Sequence, residues 1–286
     1  MSFRPTEIPL GAMRFNSDSQ KLEYWNGSIW MQVHTFSPNL DGGTRALIGA
    51  GYNGSAYIKN IDYFNVDTTG NAQDFGDIQN ISGWLGALAD RTRAIFLGDG
   101  NGGGGEDNCS YVTISSTGDS ATFGNLTQSR NYFGGLASST RGVMGGGYVG
   151  AGAVNTMDHC TIQSTGDFKD FGDLLGASIT GKLSYGSGIS SPTRGMWGGG
   201  SYYNPSATVV NNIDYITIST LGNSADFGDL TQARKAVGGC ANAVRGIWSG
   251  GYTPTYVNPM DYVTMATLGN AIDFGDSTWA GAYKSG

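Results

Sequence analysis

The chain has 286 residues, including 48 glycines and 7 prolines, with a net charge of −7, 14% charged and 12% aromatic residues. The glycines follow no three-residue period, which excludes collagen, and the aromatic content argues against a disordered glycine-rich tail. The acidic charge, without any run of Lys or Arg, argues against nucleic acid and anionic membranes as partners. No stretch is long and apolar enough to span a bilayer, and residues 1–15 lack the apolar core of a signal peptide.

Residues 10–33 differ from the rest of the chain and predict three short strands. Asn26-Gly27 predicts a type I′ hairpin between "LEYW" and "SIWMQV". Tyr24, Trp25 and Trp30 carry more aromatic surface than an isolated hairpin can expose to water, so a partner surface is expected. The predicted domains are an N-terminal β module at 1–33, a linker at 34–43 and a repeat domain at 44–286.

Three phrases recur five times in a constant order from residue 45 onwards. One phrase, seen as "ADFGDL", places a phenylalanine at Phe75, Phe123, Phe171, Phe227 and Phe274, at intervals of 48, 48, 56 and 47. The others are an arginine phrase, such as "RGVMGGGY", and an alternating phrase, such as "IDYITI". A fixed order at a nearly fixed period indicates five tandem structural units.

Each unit predicts four short strands: a glycine-rich strand, the arginine strand, the "IDYITI" strand and the "ADFGDL" strand. The "STGD" and "TLGN" sequences suit a tight hairpin between the last two strands. Ile213 and Tyr215 lie on one face of their strand and Ile216 and Ile218 on the other, which suits a sheet between two other sheets. The repeated arginines are expected to pair with the repeated acids or with carbonyls between units.

Four-stranded units of this length are typical of β-propeller blades. The fold class predicted is therefore all-β, a five-bladed β-propeller preceded by a small N-terminal β-hairpin module. The first unit lacks a clear glycine strand, and the C-terminal residues 279–286 are expected to supply it and close the ring. Closure by residues 33–40 is the alternative.

The layout of the units resembles kelch repeats. In both, a glycine pair closes the second strand, an aromatic third strand follows, and a short aromatic fourth strand precedes an arginine, here Arg130 and Arg234. Phenylalanine stands where kelch repeats usually have tryptophan in the fourth strand. The resemblance covers residues 44–286 and implies a kelch-like propeller.

Loop length varies in only two places, the loop between strands two and three and the link between units. The longest examples are 201–212 and 174–186. Adjacent antiparallel strands place both connections on one face of the domain, and variable loops on a rigid scaffold are where binding usually resides. Tyrosine and asparagine suit recognition of sugars or protein. The candidate ligand-binding residues are Tyr57, Tyr202, Tyr203, Asn204, Tyr256 and Asn258.

Catalytic and metal chemistry find little support in the sequence. Cys109, Cys160 and Cys240 have neither disulfide nor zinc spacing, and His159 occupies the tyrosine position of its repeat. The repeated "DFG" lacks the other kinase motifs. Calcium ligation by repeated acids such as Asp77 and Asp74 is an alternative to their role in turns. We expect no enzyme activity, no cofactor and no resident metal.

The N-terminal segment resembles a short module of tailed-bacteriophage structural proteins of the fibre, baseplate and decoration types. The matching residues are Gly11, Arg14, Phe15, Asn16, Leu22, Glu23, Trp25, Gly27 and Trp30. The "RGxxGGG", "IDYxTI" and "DFGDL" repeats are similar to those of large marine phage virion proteins. This resemblance implies a virion protein, made in the host cytoplasm and present in multiple copies per particle. The implied virion anchor comprises Arg14, Phe15, Tyr24, Trp25 and Trp30.

Three functions follow as expectations. The first is a tail-fibre or receptor-binding protein that is anchored to other virion proteins and recognises a host-surface glycan or protein. The second is a capsid decoration or neck/tail accessory protein without a receptor. The third, outside virions, is a free lectin-like binding module.

Overall fold

The computed structural model describes residues 8–16, 21–32, 42–80, 85–98, 106–150, 152–175, 182–183, 188–203 and 207–282. The regular secondary structure within these ranges is entirely β-strand, arranged in small antiparallel sheets. The predicted all-β class is therefore confirmed. The chain divides into two compact units, Met1–Leu40 and Asp41–Gly286.

The N-terminal unit is a three-stranded antiparallel sheet in the order β1 (Met13–Asn16), β2 (Lys21–Trp25) and β3 (Trp30–Gln32). The three strands were predicted, but the type I′ turn was wrong. Trp25 pairs with Trp30, so the loop spans residues 26–29. The Asn26 carboxamide oxygen accepts the N–H groups of Ser28 and Ile29, each at 2.9 Å. This Asx-type turn satisfies the loop without the positive φ that a type I′ turn needs at Asn26.

The second compact unit contains the five repeats, which we number one to five. Repeat one comprises β4 (Arg45–Tyr52), β5 (Tyr57–Asn65) and β6 (Gln73–Asp77). Repeat two comprises β7 (Gly86–Ala89), β8 (Arg93–Leu97), β9 (Glu106–Thr113) and β10 (Ala121–Arg130). Repeat three comprises β11 (Gly134–Ala137), β12 (Arg141–Gly145), the small ribbon β13 (Tyr148–Val149) and β14 (Gly152–Ala153), then β15 (Thr156–Thr161) and β16 (Lys169–Asp173).

The last two repeats follow the same plan. Repeat four comprises β17 (Lys182–Leu183), β18 (Gly188–Ser190), β19 (Arg194–Tyr203), β20 (Ala207–Thr217) and β21 (Ala225–Asp229). Repeat five comprises β22 (Gly238–Ala241), β23 (Arg245–Tyr252), β24 (Tyr256–Thr264) and β25 (Ile272–Asp276). The four predicted strands of repeats two to five pair in sequence order, as a meander.

The hydrophobic core consists of four clusters, and each cluster draws its residues from two consecutive repeats. Ile213 packs into the cluster shared with repeat five, whereas Ile216 packs into the cluster shared with repeat three. The apolar groups predicted on both faces of this strand therefore meet two different neighbouring sheets. A repeat cannot bury its faces alone, so the clusters hold the array together.

Consecutive repeats are also joined through backbone hydrogen bonds. Gly118 N donates to Phe75 O at 2.7 Å and Ser120 N donates to Asp77 O at 2.8 Å. We call the contact between two consecutive repeats a joint. The same pair of bonds recurs in the next three joints, from Gly166 and Phe168, from Gly222 and Ser224, and from Gly269 and Ala271. The "STGD" segment is therefore not the tight hairpin that the sequence predicted. Residues 114–120 connect the strands, and their second half pairs with the preceding repeat.

The described part of the C-terminal tail pairs with its own repeat. Gly281 O accepts a hydrogen bond from Gly251 N at 2.7 Å, and Gly281 N donates to Val257 O at 3.1 Å. These contacts do not support the prediction that residues 279–286 form the missing strand of repeat one. Residues 283–286, and the alternative at 33–40, lie outside the described residues. Closure of the five repeats into a ring stays a prediction.

Candidate functional site

One face of the N-terminal sheet is polar and internally satisfied. Arg14 Nη2 lies 2.9 Å from Glu23 Oε2, and Asn16 Nδ2 donates to Glu23 Oε1 at 2.9 Å. The hydrogen bond from Asn16, together with Arg14, lowers the pKa of Glu23 although burial opposes the shift. The Arg14 guanidinium stacks 4.2 Å from the Trp30 ring, and Trp30 packs against Trp25, which is buried. These groups already have partners within the module.

The opposite face of the same sheet is apolar and exposed. The pairings of Met13 with Tyr24, Tyr24 with Met31 and Phe15 with Leu22 place all five side chains on one side. They expose between 39% and 65% of their area, and we call them the apolar face: Met13, Phe15, Leu22, Tyr24 and Met31. Contiguous exposed apolar side chains of this kind are typical of interaction surfaces.

The structure therefore divides the predicted virion anchor. Phe15 and Tyr24 belong to the apolar face, while Arg14, Trp25 and Trp30 lie on the polar face and support the sheet. Sequence reasoning missed Met13, Leu22 and Met31 as members of the surface. Their signal was the period-2 alternation with Arg14 and Glu23, which a strand converts into two faces of opposite character.

In the repeat domain, the loops between strands two and three lie beside the links between repeats. Asn131 in one link bridges to Tyr148, Lys235 in another bridges to Tyr252, and Lys182 pairs with Tyr202. The two variable connections therefore share one face, as the sequence predicted. The turn between the first two strands of repeat two lies elsewhere, beside the connection between the last two strands of repeat three, since Gln163 Nε2 donates to Thr92 Oγ1 at 2.6 Å.

Two hairpins on the variable face carry exposed tyrosine pairs. Tyr52 and Tyr57 have ring centroids 5.2 Å apart in repeat one, and Tyr252 and Tyr256 have centroids 5.3 Å apart in repeat five. Tyr52 is 60% exposed and Tyr256 is 58% exposed. Sequence reasoning named Tyr57 and Tyr256 but missed Tyr52 and Tyr252, although the "GGY" or "GAGY" that ends the arginine strand was visible. The rings are tilted or edge-to-face, and the Tyr52 hydroxyl donates to Gly54 O at 3.1 Å. Adjacent, partly exposed tyrosine rings suit planar or sugar ligands.

The other candidate ligand-binding residues on this face are less accessible to a ligand or lie outside the described residues. Tyr202 is half-buried, its hydroxyl lies 3.5 Å from Asn212 Oδ1, and burial with the nearby Asp214 raises its pKa. Asn258 Nδ2 donates to Ser277 O at 3.3 Å, which ties it to the tail of repeat five. Asn204 lies outside the described residues, as does the side chain of Tyr203. Ligand binding by these residues stays a prediction.

The side chains of Cys109, Cys160 and His159 occupy buried or half-buried strand positions. Cys109 and Cys160 are buried, and burial raises the pKa of the Cys160 thiol to about 12 and that of Cys109 further. His159 lines a cavity of about 430 Å³ beside Lys169 and Asp167. Burial, Arg141 and Lys169 lower the pKa of His159. Over the described ranges, no group of three or more His, Cys, Asp or Glu side chains is placed to hold a metal ion.

Two buried ion pairs are structural parts of the joints between repeats. Arg130 pairs with Asp158 and Arg234 with Asp261, and all four side chains are fully buried. Thr127 and Thr231 each donate a backbone and a hydroxyl hydrogen bond to the same aspartates, at 3.0 and 2.7 Å. Each pair links the end of one repeat to the third strand of the next.

Comparison with known protein families and with characterised proteins finds no family model and no protein that matches the chain. Among the described residues, no helix is long and apolar enough to cross a membrane. The resemblances to kelch repeats and to phage virion proteins therefore stay predictions from the sequence motifs.

Proposed function

We propose that the protein is a structural component of a tailed-phage virion, anchored through its N-terminal sheet and displaying the repeat domain for host recognition. The observation that carries the proposal is the apolar face. A three-stranded sheet that exposes Phe15, Met13 and Tyr24 together has a binding surface that its own strands leave open. The motif resemblance of this segment supports another virion protein as the partner.

Attachment is tested by weakening the apolar face in the full chain. The double change Phe15→Ser and Tyr24→Ser is expected to abolish incorporation into particles, because each buried aromatic contributes about 1.5–3 kcal/mol. Ile29→Ser is the matched control, since Ile29 is 57% exposed but lies in the loop outside the face. Incorporation is measured by immunoblotting of purified particles. Normal incorporation of the double variant would refute anchoring through this face.

The repeat domain supports a recognition role through the tyrosine pairs on its variable face. We propose that they bind a host-surface glycan or protein, and that the protein is not an enzyme. Replacement of Tyr52 and Tyr256 by Ala is expected to abolish binding to host cells while incorporation into particles stays normal. Wild-type protein that binds neither host cells nor a glycan array would favour the decoration or accessory function. A lectin-like module would bind glycans but would not be found in particles.

The arrangement of the five repeats is part of the same proposal. We propose that the five repeats are the blades of a closed propeller. The meander order of each sheet, the backbone contacts between consecutive glycine strands, such as Gly134 against Gly188, and the four equivalent joints support this architecture. Closed rings protect sheet edges and faces that an open array leaves in water.

A further inference from the structure

The outer face of repeat five carries one half of a joint, and within the described residues of the repeat domain no other repeat packs against it. Phe274 is 45% exposed, whereas its equivalents Phe75, Phe123, Phe171 and Phe227 expose 2–3%. A Cβ at Gly275 would meet nothing within 4 Å, whereas a Cβ at Gly76 or Gly172 would lie 2.5 Å from the backbone of the next repeat. Cys240 is exposed, whereas its equivalents Leu88, Leu136 and Ile189 are buried.

The outer face of repeat one carries the complementary half. Ile48 is 59% exposed, whereas its equivalents Phe96, Met144, Trp197 and Trp248 expose at most 3%. Val66 is 61% exposed, and its equivalents supply the carbonyls that the repeat arginines bind. The turn between β5 and β6 of repeat one also has a polar residue, Asn71. Its equivalents in the other repeats each accept a backbone N–H of the preceding repeat: Asp119, Asp167, Asn223 and Asn270.

A polar pair is also compatible with the two faces as halves of the same joint. Asp62 in repeat one is equivalent to Asp158 and Asp261, the buried aspartates that bind Thr127 and Thr231. Thr278 in repeat five is equivalent to those threonines. The pair is not general, since Gln79 and Ser110 occupy these positions between repeats one and two, and Leu175 and Asp214 between repeats three and four. Both members of the pair are nevertheless present at the two open faces.

The turn between β5 and β6 of repeat one differs in backbone conformation from the equivalent turns that bond to a preceding repeat. The equivalent glycines Gly118, Gly166, Gly222 and Gly269 have φ between +144° and +150°, and each donates its N–H to the preceding repeat. Gly70 lies outside this region of φ. Engagement is expected to bring Gly70 into the conformation of its equivalents.

We propose that repeats one and five of the same chain form a fifth joint, in which Thr278 binds Asp62, Asn71 caps the Asp276 N–H and Arg245 binds the Val66 carbonyl. This joint rests on the proposed propeller, and it replaces the tail strand as the device that closes the ring. Both halves belong to one compact unit, so they meet at an effective concentration that a second copy cannot reach. Contacts between copies would be head-to-tail and would give rings or open filaments of several chains.

The fifth joint is expected to be the weakest of the five. Ser277 stands where Ile78, Leu126, Leu174 and Leu230 are buried in the other repeats, and Gly281 stands where Arg130 and Arg234 form ion pairs. Less apolar area is therefore buried, which agrees with the open faces seen here. Closure also has a functional consequence, because it places the Tyr52–Tyr57 and Tyr252–Tyr256 pairs on neighbouring blades as one recognition surface.

The test is cysteine crosslinking in the full chain, with Cys240→Ser as the background. Asp62→Cys with Thr278→Cys is treated with a short dithiol-reactive crosslinker over a wide range of dilution. Gln79→Cys with Thr122→Cys is the positive control for a formed joint, since these side chains hydrogen-bond across the joint of repeats one and two at 3.0 Å. We expect both pairs to give a crosslinked monomer, with a yield that does not change on dilution.

Two results would overturn the proposal. Crosslinked dimers and larger species whose yield falls on dilution would show that the two faces join different copies. Absence of any crosslink from the 62–278 pair, when the control pair reacts, would show that the faces do not meet. Neither result bears on virion attachment, which the Phe15 and Tyr24 variant tests separately.

Discussion

The guanidinium of Arg141 donates a hydrogen bond of 2.8 Å to the backbone carbonyl of Ile218, 77 positions further along the chain. The same bond joins Arg45 to Ile114, Arg93 to Ile162 and Arg194 to Met265. Of the two partners that the sequence left open for these arginines, carbonyls between repeats are the ones observed. Arg45, Arg93 and Arg194 also lie over an aromatic ring in their own repeat, as Arg93 lies 4.2 Å from the centroid of Tyr111.

Replacement of Arg141 by Ala is expected to destabilise the repeat domain by about 1–2 kcal/mol, because a hydrogen bond from a charged, partly buried donor is lost. The midpoint of thermal unfolding should fall by a few degrees. Arg141→Lys, which keeps the charge but not the planar donor geometry, should recover only part of the loss. Equal stability of all three proteins would contradict a role of this bond in the joint.

Gly172 and Gly222 form a matched pair for testing close backbone approach at a joint. Their φ angles are +141° and +144°, so Ala at either position carries a similar backbone cost of about 1–2 kcal/mol. Only Gly172 would also place its Cβ 2.5 Å from the facing backbone. Gly172→Ala is therefore expected to cost about 1–3 kcal/mol more than Gly222→Ala in chemical denaturation. Similar losses would show that the joint relaxes around a methyl group.

The buried pair of Arg130 and Asp158 predicts an asymmetry between single and double replacements. Asp158→Asn leaves a buried guanidinium uncompensated and should cost about 3–5 kcal/mol. The double change Arg130→Met and Asp158→Leu removes both charges and should cost much less. Denaturant midpoints of the three proteins measure the difference. A double variant as unstable as the single one would mean that the ion pair itself, and not its balance of charge, stabilises the joint.

His159 predicts a loss of stability in mild acid. Burial, Arg141 and Lys169 hold its pKa below the unfolded value of about 6.5. The unfolded state therefore binds the proton more readily, and stability falls as pH drops below about 6.5. His159→Tyr restores the residue of the other repeats and removes the titrating group. The difference in melting temperature between the two proteins should widen from pH 7 to pH 5. A constant difference would exclude His159 as the cause.

Much of the fold could be read from spacing alone. The constant order of the arginine, "IDYITI" and "DFGD" phrases predicts five units of the same strand order, because identical local patterns fold into identical local structure. Alternation within "IDYITI" correctly predicts that both strand faces are buried. The variable face follows from loop lengths, because antiparallel pairing fixes the side on which a connection emerges.

The structural role of the "STGD" and "TLGN" segments could not be predicted from a single repeat. Its Gly-Asp and Gly-Asn pairs fit a tight hairpin locally, but their N–H groups instead bond to Phe75, Phe123, Phe171 and Phe227 of the preceding repeats. The Asn26-Gly27 turn was mistaken for the same reason, since the Asn26 side chain competes with the backbone for the loop N–H groups.

The number of repeats, the strand order within each and the side of the domain on which the chain varies can be predicted from the sequence, since these depend on local pattern and period. Which side chains are exposed for binding depends on tertiary packing. Phe15 and Trp25 are both aromatic residues of the N-terminal strands. The sheet exposes Phe15 to solvent, whereas Trp25 is buried and packs against Trp30. Phe274 occupies the position of Phe75 in its repeat, but it is exposed because no described repeat packs against it.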